Sequence, residues 1–300
     1  MNNILIFGKN GQVASNLIRL FAEENTRGDN KENNFNVHSY SSSEVDFADL
    51  PALKNFLNNL STKPNFIINA AAYTNVDKAE DEKAKGENDL ADLINHQAVA
   101  IIARYCAQNQ IKLIHYSTDY VFDGSGTEPF AEDNTENLHP LNHYGATKLL
   151  GEKAITNSNC QHIIFRISWV YDANPNSKNF LNTITRLAKE KEVLNIIDDQ
   201  IGSPTSASFV ATNTIITIKK FSNLTEKFPS GIYHLNNGKY ISWYDFALQI
   251  VEDLKMKNVD LKVKEILPIK TFEYKTKATR PLNSRLSTKM RLSSESCDGA

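Results

Sequence analysis

The chain is expected to be an α/β protein with a doubly wound parallel sheet and a smaller C-terminal part interleaved with it. Three observations predict this. Short apolar runs rich in Ile, Val, Phe and Tyr alternate with longer stretches of helical periodicity through the first half. The first run leads straight into a glycine turn. After Trp169 the alternation lapses and the texture changes. Runs too continuous for one-sided burial suit parallel strands covered on both faces. Strand alternating with helix is the pattern of a doubly wound sheet, whose crossovers are right-handed.

The expected strands of the first half are residues 4–7, 37–40, 66–70, 112–117 and 162–167. Between and after them, helical patterns cover 12–24, 51–59, 89–108 and 143–156. Pro140 and Asn142 supply a start for the last of these. Residues 26–34 are polar and contain glycine, so they read as a surface loop. Beyond Trp169, residues 172–177 form a loop, helices follow at 179–191, 206–219 and 243–255, and short strands at 194–197 and 231–235. The expected division is a sheet domain over 1–170, a mainly substrate-binding domain over 171–292, and a small, polar, disordered tail at 293–300.

Bulk properties narrow the function classes. Three hundred residues with a hydrophobic fraction of 41% and a charged fraction of 23% suit an ordinary soluble protein with a large core. A net charge of −2 offers no basic field for nucleic acid or an anionic membrane. Cys106, Cys160 and Cys297 lack metal-ligand spacing, and so sparse a set fits a reducing compartment. The start of the chain reads as a strand rather than a signal peptide, and no stretch is long and apolar enough to span a bilayer. A cytoplasmic protein without metal, nucleic-acid or membrane partners is expected.

The glycine turn carries the first chemical signal. Gly8-Lys9-Asn10-Gly11-Gln12-Val13-Ala14 lies between an expected strand and an expected helix. Gly8 allows the tight turn, Gly11 lets the backbone approach a pyrophosphate at the helix N-terminus, and Ala14 takes the third small position. This is the Rossmann-type arrangement for a dinucleotide, in the spacing G-x-x-G-x-x-A. An ordinary glycine loop is the alternative. Ser41-Ser42-Ser43 stand where an acidic residue would select NAD or an arginine NADP, so the choice between NADH and NADPH stays open. Asp46 and Phe47 could flank the adenine, or simply lead into the next helix. Asn69-Ala70-Ala71-Ala72-Tyr73-Thr74 follows another strand, and its small residues would let a cofactor lie close to the backbone; a tightly packed sheet-to-helix junction is the alternative.

The second signal is Tyr144-Gly145-Ala146-Thr147-Lys148. A phenol and an ammonium four residues apart share one helix face. There the ammonium can lower the phenol's pKa, making it a usable proton donor. Upstream, Ser117-Thr118-Asp119 follows a strand at its carboxyl end, the edge where doubly wound sheets hold ligands. The reaction so outlined is hydride transfer from a nicotinamide to a carbonyl. Tyr144 would act as acid, Lys148 on the phenol and the nicotinamide ribose, and Thr118 as hydrogen-bond donor at the carbonyl oxygen. The alternative leaves Tyr144 as a packing residue and Lys148 on the surface. Asn95, in an expected helix, could order the back of the site or stand on the helix surface.

Residues 8–13, 69–78, 115–123, 144–152, 166–171, 199–205 and 280–286 together resemble the dTDP-4-dehydrorhamnose reductases, a branch of the extended short-chain dehydrogenase/reductase family. Most specific are 117–122, 199–205 and 280–286. The resemblance implies NADPH- or NADH-dependent reduction of the 4-keto group of dTDP-4-dehydro-L-rhamnose to dTDP-L-rhamnose. It implies Thr118, Tyr144 and Lys148 as the catalytic trio. It implies Gly8, Gly11, Gln12, Val13, Asp46, Phe47, Ala72, Tyr73 and Thr74 around the cofactor, together with Tyr144 and Lys148. Thr118, Asp119 and Trp169 fall at the nucleotide sugar, the indole face covering sugar C–H edges; Trp169 as a core anchor is the alternative. The family can dimerise, so a homodimer is compatible with the resemblance. Arg280 could meet the diphosphate or form a structural ion pair. Two other functions stay open: reduction of a different dTDP-4-keto-deoxysugar, and a non-enzymatic regulatory subunit like that of methionine adenosyltransferase.

Overall fold

The structure, a computed structural model, describes residues 2–27, 35–86, 89–222 and 227–288. The expected tail, Cys297 and most of the loop before the second strand lie outside the described residues. Strand β1 (Asn2–Phe7) buries Ile4, Leu5, Ile6 and Phe7, neighbours that point to opposite faces. Only a strand covered on both sides does that. Helix α1 (Gln12–Arg27), β2 (Phe35–Tyr40), α2 (Leu50–Asn58) and β3 (Phe66–Asn69) continue the alternation. Then come α3 (Val76–Lys85), α4 (Leu90–Asp92), a π-helical turn (Leu93–Gln97), α5 (Ala98–Asn109), β4 (Lys112–Thr118), α6 (His143–Asn157) and β5 (His162–Ile167). The remainder adds β6 (Val170–Tyr171), α7 (Phe180–Glu190), β7 (Val193–Ile197), β8 (Ile201–Gly202), β9 (Thr205–Ser206), α8 (Ala207–Phe221), β10 (Gly231–His234), β11 (Ile241–Ser242), α9 (Trp243–Met256) and β12 (Glu265–Ile269).

The main sheet is parallel throughout, with strand order β10-β5-β4-β3-β1-β2. β1 lies between β2 and β3, so the direction of winding switches there. The crevice beyond the carboxyl ends of β1 and β3 is therefore the place where such a sheet holds its ligand. Two apolar layers close the sheet. One gathers Leu17 and Phe21 of α1 with Val210, Ala211, Ile215 and Ile218 of α8. The other gathers Leu53 and Leu57 of α2 with Val99, Ile102 and Cys106 of α5. A separate core joins α7, β7 and α9 through Ile184, Leu194, Phe246 and Ile250. Among the described residues no helix is long and apolar enough to cross a membrane.

Three differences from the sequence expectation have physical causes. The sequence pattern puts residues 231–235 with the C-terminal part, yet β10 pairs with β5 and forms the edge of the main sheet. Its apolar pattern says only that it is a strand, not which strand accepts it. Helix α3 was not expected, because Val76–Lys85 buries Ala79 alone and so lacks an apolar stripe. Its ends hold it instead: Asn75 accepts from Lys78 N, and Gly86 closes it in the left-handed conformation. Strand β12 contains Pro268 and is largely exposed, which hides it from a period-two search.

Candidate active site

The turn after β1 is built almost entirely from backbone. Gly8 has φ +86°, and a Cβ there would stand 2.7 Å from Ala71 N and 2.8 Å from the Ala70 carbonyl. The ends of β1 and β3 can approach so closely only if this residue is glycine. Gly11 N donates to Gly8 O at 2.8 Å and closes the turn just ahead of α1. Val13 and Ala14 are buried under the sheet, so small size at position 14 is a packing requirement. Gln12 is tied to the C-terminal half, its Oε1 accepting from Asn179 Nδ2 at 2.8 Å. At the end of β2, Glu44 accepts from Ser41 N and Ser41 Oγ and pairs with Lys9 Nζ at 2.6 Å. The Lys9 and Ser41 contacts hold the Glu44 carboxyl down to about 2. The position expected to lack an acid therefore has one supplied three residues later.

Asp46 stabilises its own turn through Ala48 N. Phe47 is buried edge-on against Phe7, with ring centroids 5.1 Å apart. Its ring belongs to the core, so it can flank a base only through its backbone. Ala72 and Thr74 are exposed on the loop after β3, with Tyr73 between them half-buried. That loop is bracketed by Asn95, which accepts from Tyr73 N at 2.9 Å and donates to Tyr73 O at 3.0 Å and Thr147 Oγ1 at 3.2 Å. Asn95 is 1% exposed and sits in the π-helical turn, so it is a structural clamp behind the site rather than a surface residue.

Tyr144 and Lys148 lie in α6, whose N-terminus is set by Asn142 accepting from Gly145 N and by Glu80 accepting from His143 N. Gly145 is needed for contact: a Cβ there would be 2.2 Å from Tyr120 O. This lets the turn after β4 lie against the helix and brings Thr118 to Tyr144. Tyr120 packs edge-on against Tyr144 at 5.7 Å. Desolvation pushes the Tyr144 phenol up to about 12; a hydrogen bond with Thr118 opposes this and the Asp119 charge adds to it. Lys148 is 2% exposed and donates to Tyr116 O at 2.6 Å. Burial lowers it to about 8, against the charge of Glu152. Here the structure adds to the simple spacing argument: Lys148 Nζ turns to β4, where it donates to the Tyr116 carbonyl. Asp119 is buried, raised to about 6 by desolvation, and its Oδ2 has no hydrogen-bond partner.

Trp169 stands in the left-handed region at φ +49°. Trp243 stacks on it, with centroids 3.4 Å apart and planes at 7°. A Cβ on Gly202 would lie 2.4–2.8 Å from indole atoms Cε2, Nε1 and Cδ2. Both indole faces are thus covered, which corrects the expectation of a face laid over a sugar. Gly202→Ala is expected to force the stack apart and cost about 1–3 kcal/mol. A lower melting temperature with altered tryptophan fluorescence would show this, since Trp169 and Trp243 are the only two tryptophans. Arg280 pairs bidentately with Asp77 at 2.7 and 3.1 Å and also donates to Ala278 O, so its donors are engaged in holding the C-terminal segment to α3.

A family model described as the RmlD substrate binding domain matches residues 1–296. A dTDP-4-dehydrorhamnose reductase of Salmonella typhimurium is 40% identical over 288 residues, covering 95% of this chain and 89% of that protein. Among solved structures, the dTDP-4-dehydrorhamnose reductase of Clostridium acetobutylicum is 31% identical with a TM-score of 0.80, covering 95% of this chain and 90% of the other. That of Bacillus anthracis, solved in complex with NADP, is 30% identical with a TM-score of 0.78, covering 96% and 90%.

Proposed function

The chain belongs to the dTDP-4-dehydrorhamnose reductase family, and on that premise we propose that it reduces the 4-keto group of dTDP-4-dehydro-L-rhamnose to give dTDP-L-rhamnose, with NADPH or NADH as reductant. The observation that carries the reading is that Thr118, at the carboxyl end of β4, is followed by a turn that packs directly on the first turn of α6, which bears Tyr144. A hydroxyl and a phenol then meet where the sheet holds ligands.

The turn at Gly8 and Gly11 fits a pyrophosphate: its floor is backbone, a side chain at Gly8 would fill it, and the N-terminus of α1 follows directly. Gln12, Asp46 and the Ala72–Tyr73–Thr74 loop line the rest of the cradle. Bound there, the reduced nicotinamide supplies a hydride. Tyr144 donates its phenolic proton to the oxygen of the carbonyl undergoing reduction. Thr118 orients that oxygen through its hydroxyl and supports the phenolate left behind. Lys148, as an ammonium, stabilises the same phenolate. Asp119, directly after Thr118 at the end of β4, would face the nucleotide sugar, and Trp169 would border it. The core of α7, β7, α9 and β12 forms the substrate-binding unit.

Following the absorbance of NADPH and of NADH with enzymatically prepared dTDP-4-dehydro-L-rhamnose tests this. Oxidation dependent on the sugar is expected. No oxidation, with the cofactor still bound by fluorescence, would overturn the proposed substrate.

A further inference from the structure

We propose that Asn69 and His115 are positioning residues for Lys148: they hold the imidazole proton on Nε2, so that a donor faces the lysine Nζ and weakens its hold on its third proton. This rests on the reading above that Lys148 serves the reduction.

The chain of contacts allows one arrangement of protons. Ala71 N donates to Asn69 Oδ1 at 3.1 Å. A backbone N–H can only donate, so the amide oxygen must face it. The amide nitrogen is then left facing His115 Nδ1 at 3.2 Å. That nitrogen also only donates, so Nδ1 must accept. His115 is fully buried, and burial followed by the Lys148 charge drives its pKa well below the usual range. A neutral imidazole carries one proton, which is left on Nε2. Nε2 lies 3.3 Å from Lys148 Nζ. Facing an amine, that N–H makes a hydrogen bond to the lone pair. Facing an ammonium, it sets donor against donor.

The other groups around Lys148 do not cancel this. From β4 come His115 and the Tyr116 carbonyl, which accepts from either form. On α6, Tyr144 and Glu152 lie one turn to either side. Glu152 favours the ammonium, yet both its oxygens are held by Arg166 of β5. From β3, Asn69 faces His115. The proton affinity of Lys148, lowered first by burial, is therefore lowered further by a relay reaching back to the loop after β3, whose backbone also floors the glycine turn.

Asn69→Asp tests the relay at almost constant shape. A carboxylate accepts from Ala71 N and from Nδ1–H, which moves the imidazole proton to Nδ1 and makes Nε2 an acceptor for the ammonium. The pH dependence of NADPH affinity and of kcat would be measured for the wild type, Asn69→Asp, His115→Leu and the double variant. The titration midpoint is expected to rise by about one pH unit or more in Asn69→Asp, a tenfold change in proton affinity. Most of that rise should vanish when His115→Leu is added. An unmoved midpoint would overturn the proposal. So would a full shift surviving in the double variant, because charge alone would then explain it. A merely structural role would lower the melting temperature and the amplitudes without moving the midpoint. If Asn69→Asp does not fold, His115→Gln is read instead: its amide can turn an oxygen to Nζ, and a midpoint that fails to rise overturns the proposal equally. The NADPH titration needs no sugar, so a wild type that binds NADPH but leaves the keto sugar unreduced rejects the proposed function and still decides on the relay.

Discussion

Tyr144→Phe is expected to fold, to bind NADPH with near-normal affinity, and to lose about 10²–10⁴ in kcat, the usual worth of a positioned general acid. The substitution removes one hydroxyl and leaves the ring, so the edge-on contact with Tyr120 survives. The loss should fall on kcat rather than KM, because the proton is delivered only as the alkoxide develops. The shape of the pH profile in the neutral range should not change. The phenol is raised to about 12 by desolvation, so it stays protonated and ready to donate throughout the neutral range. Steady-state NADPH oxidation with paired fluorescence titration is the measurement. Near-full turnover in Tyr144→Phe would assign the acid elsewhere, and the buried carboxyl of Asp119 would be tested next.

Glu152→Leu is expected to destabilise the fold by about 3–5 kcal/mol, the cost of stranding one partner of a buried pair. Arg166 donates to Glu152 through Nε at 3.0 Å and Nη2 at 2.7 Å, and each residue is 2% exposed or less. The guanidinium also stands 4.9 Å from the Phe122 ring centroid. His234 gives it no second anion; burial, then the Arg166 charge, keep that imidazole neutral, down to about 3. Without Glu152 the cation has no counter-charge and no route to water. Urea unfolding measures the loss. The double variant Glu152→Leu/Arg166→Met should recover most of it, since an apolar pair of similar volume avoids the desolvation of both ions. A single-variant loss below about 1 kcal/mol would mean that water reaches the pair. Because Glu152 follows Lys148 by one turn of α6, the pair anchors the helix that carries Tyr144 and Lys148.

Much of the site could be read in the chain because its parts are local. Tyr144 and Lys148 are four residues apart, and Gly8 and Gly11 three, so one helix turn and one loop bring each pair together. Thr118 was legible through its place at the end of an apolar run. Other residues left no local trace. His115 and Asn69 stand inside strands, where a buried polar side chain looks like an ordinary interruption; only the register of β3 beside β4 brings them into contact. A signal was present nonetheless, since a histidine three residues from the end of a buried strand needs a buried partner. The covered faces of Trp169 were invisible for the same reason, since Trp243 lies far away in sequence. In sequence Arg280 reads equally well as a phosphate ligand or an ion-pair partner; the fold pairs it with Asp77.

By itself the sequence determined the sheet's strands, the glycine turn and the Tyr144–Lys148 pair, because each depends on spacing along one element. The tertiary structure alone decided that β10 closes the edge of the sheet, which way Lys148 points, and which faces of Trp169 are open. Those outcomes depend on which polar and aromatic groups meet across elements distant in sequence. A buried donor or ring is directed by the partner that satisfies it, and spacing along one strand or helix does not name that partner.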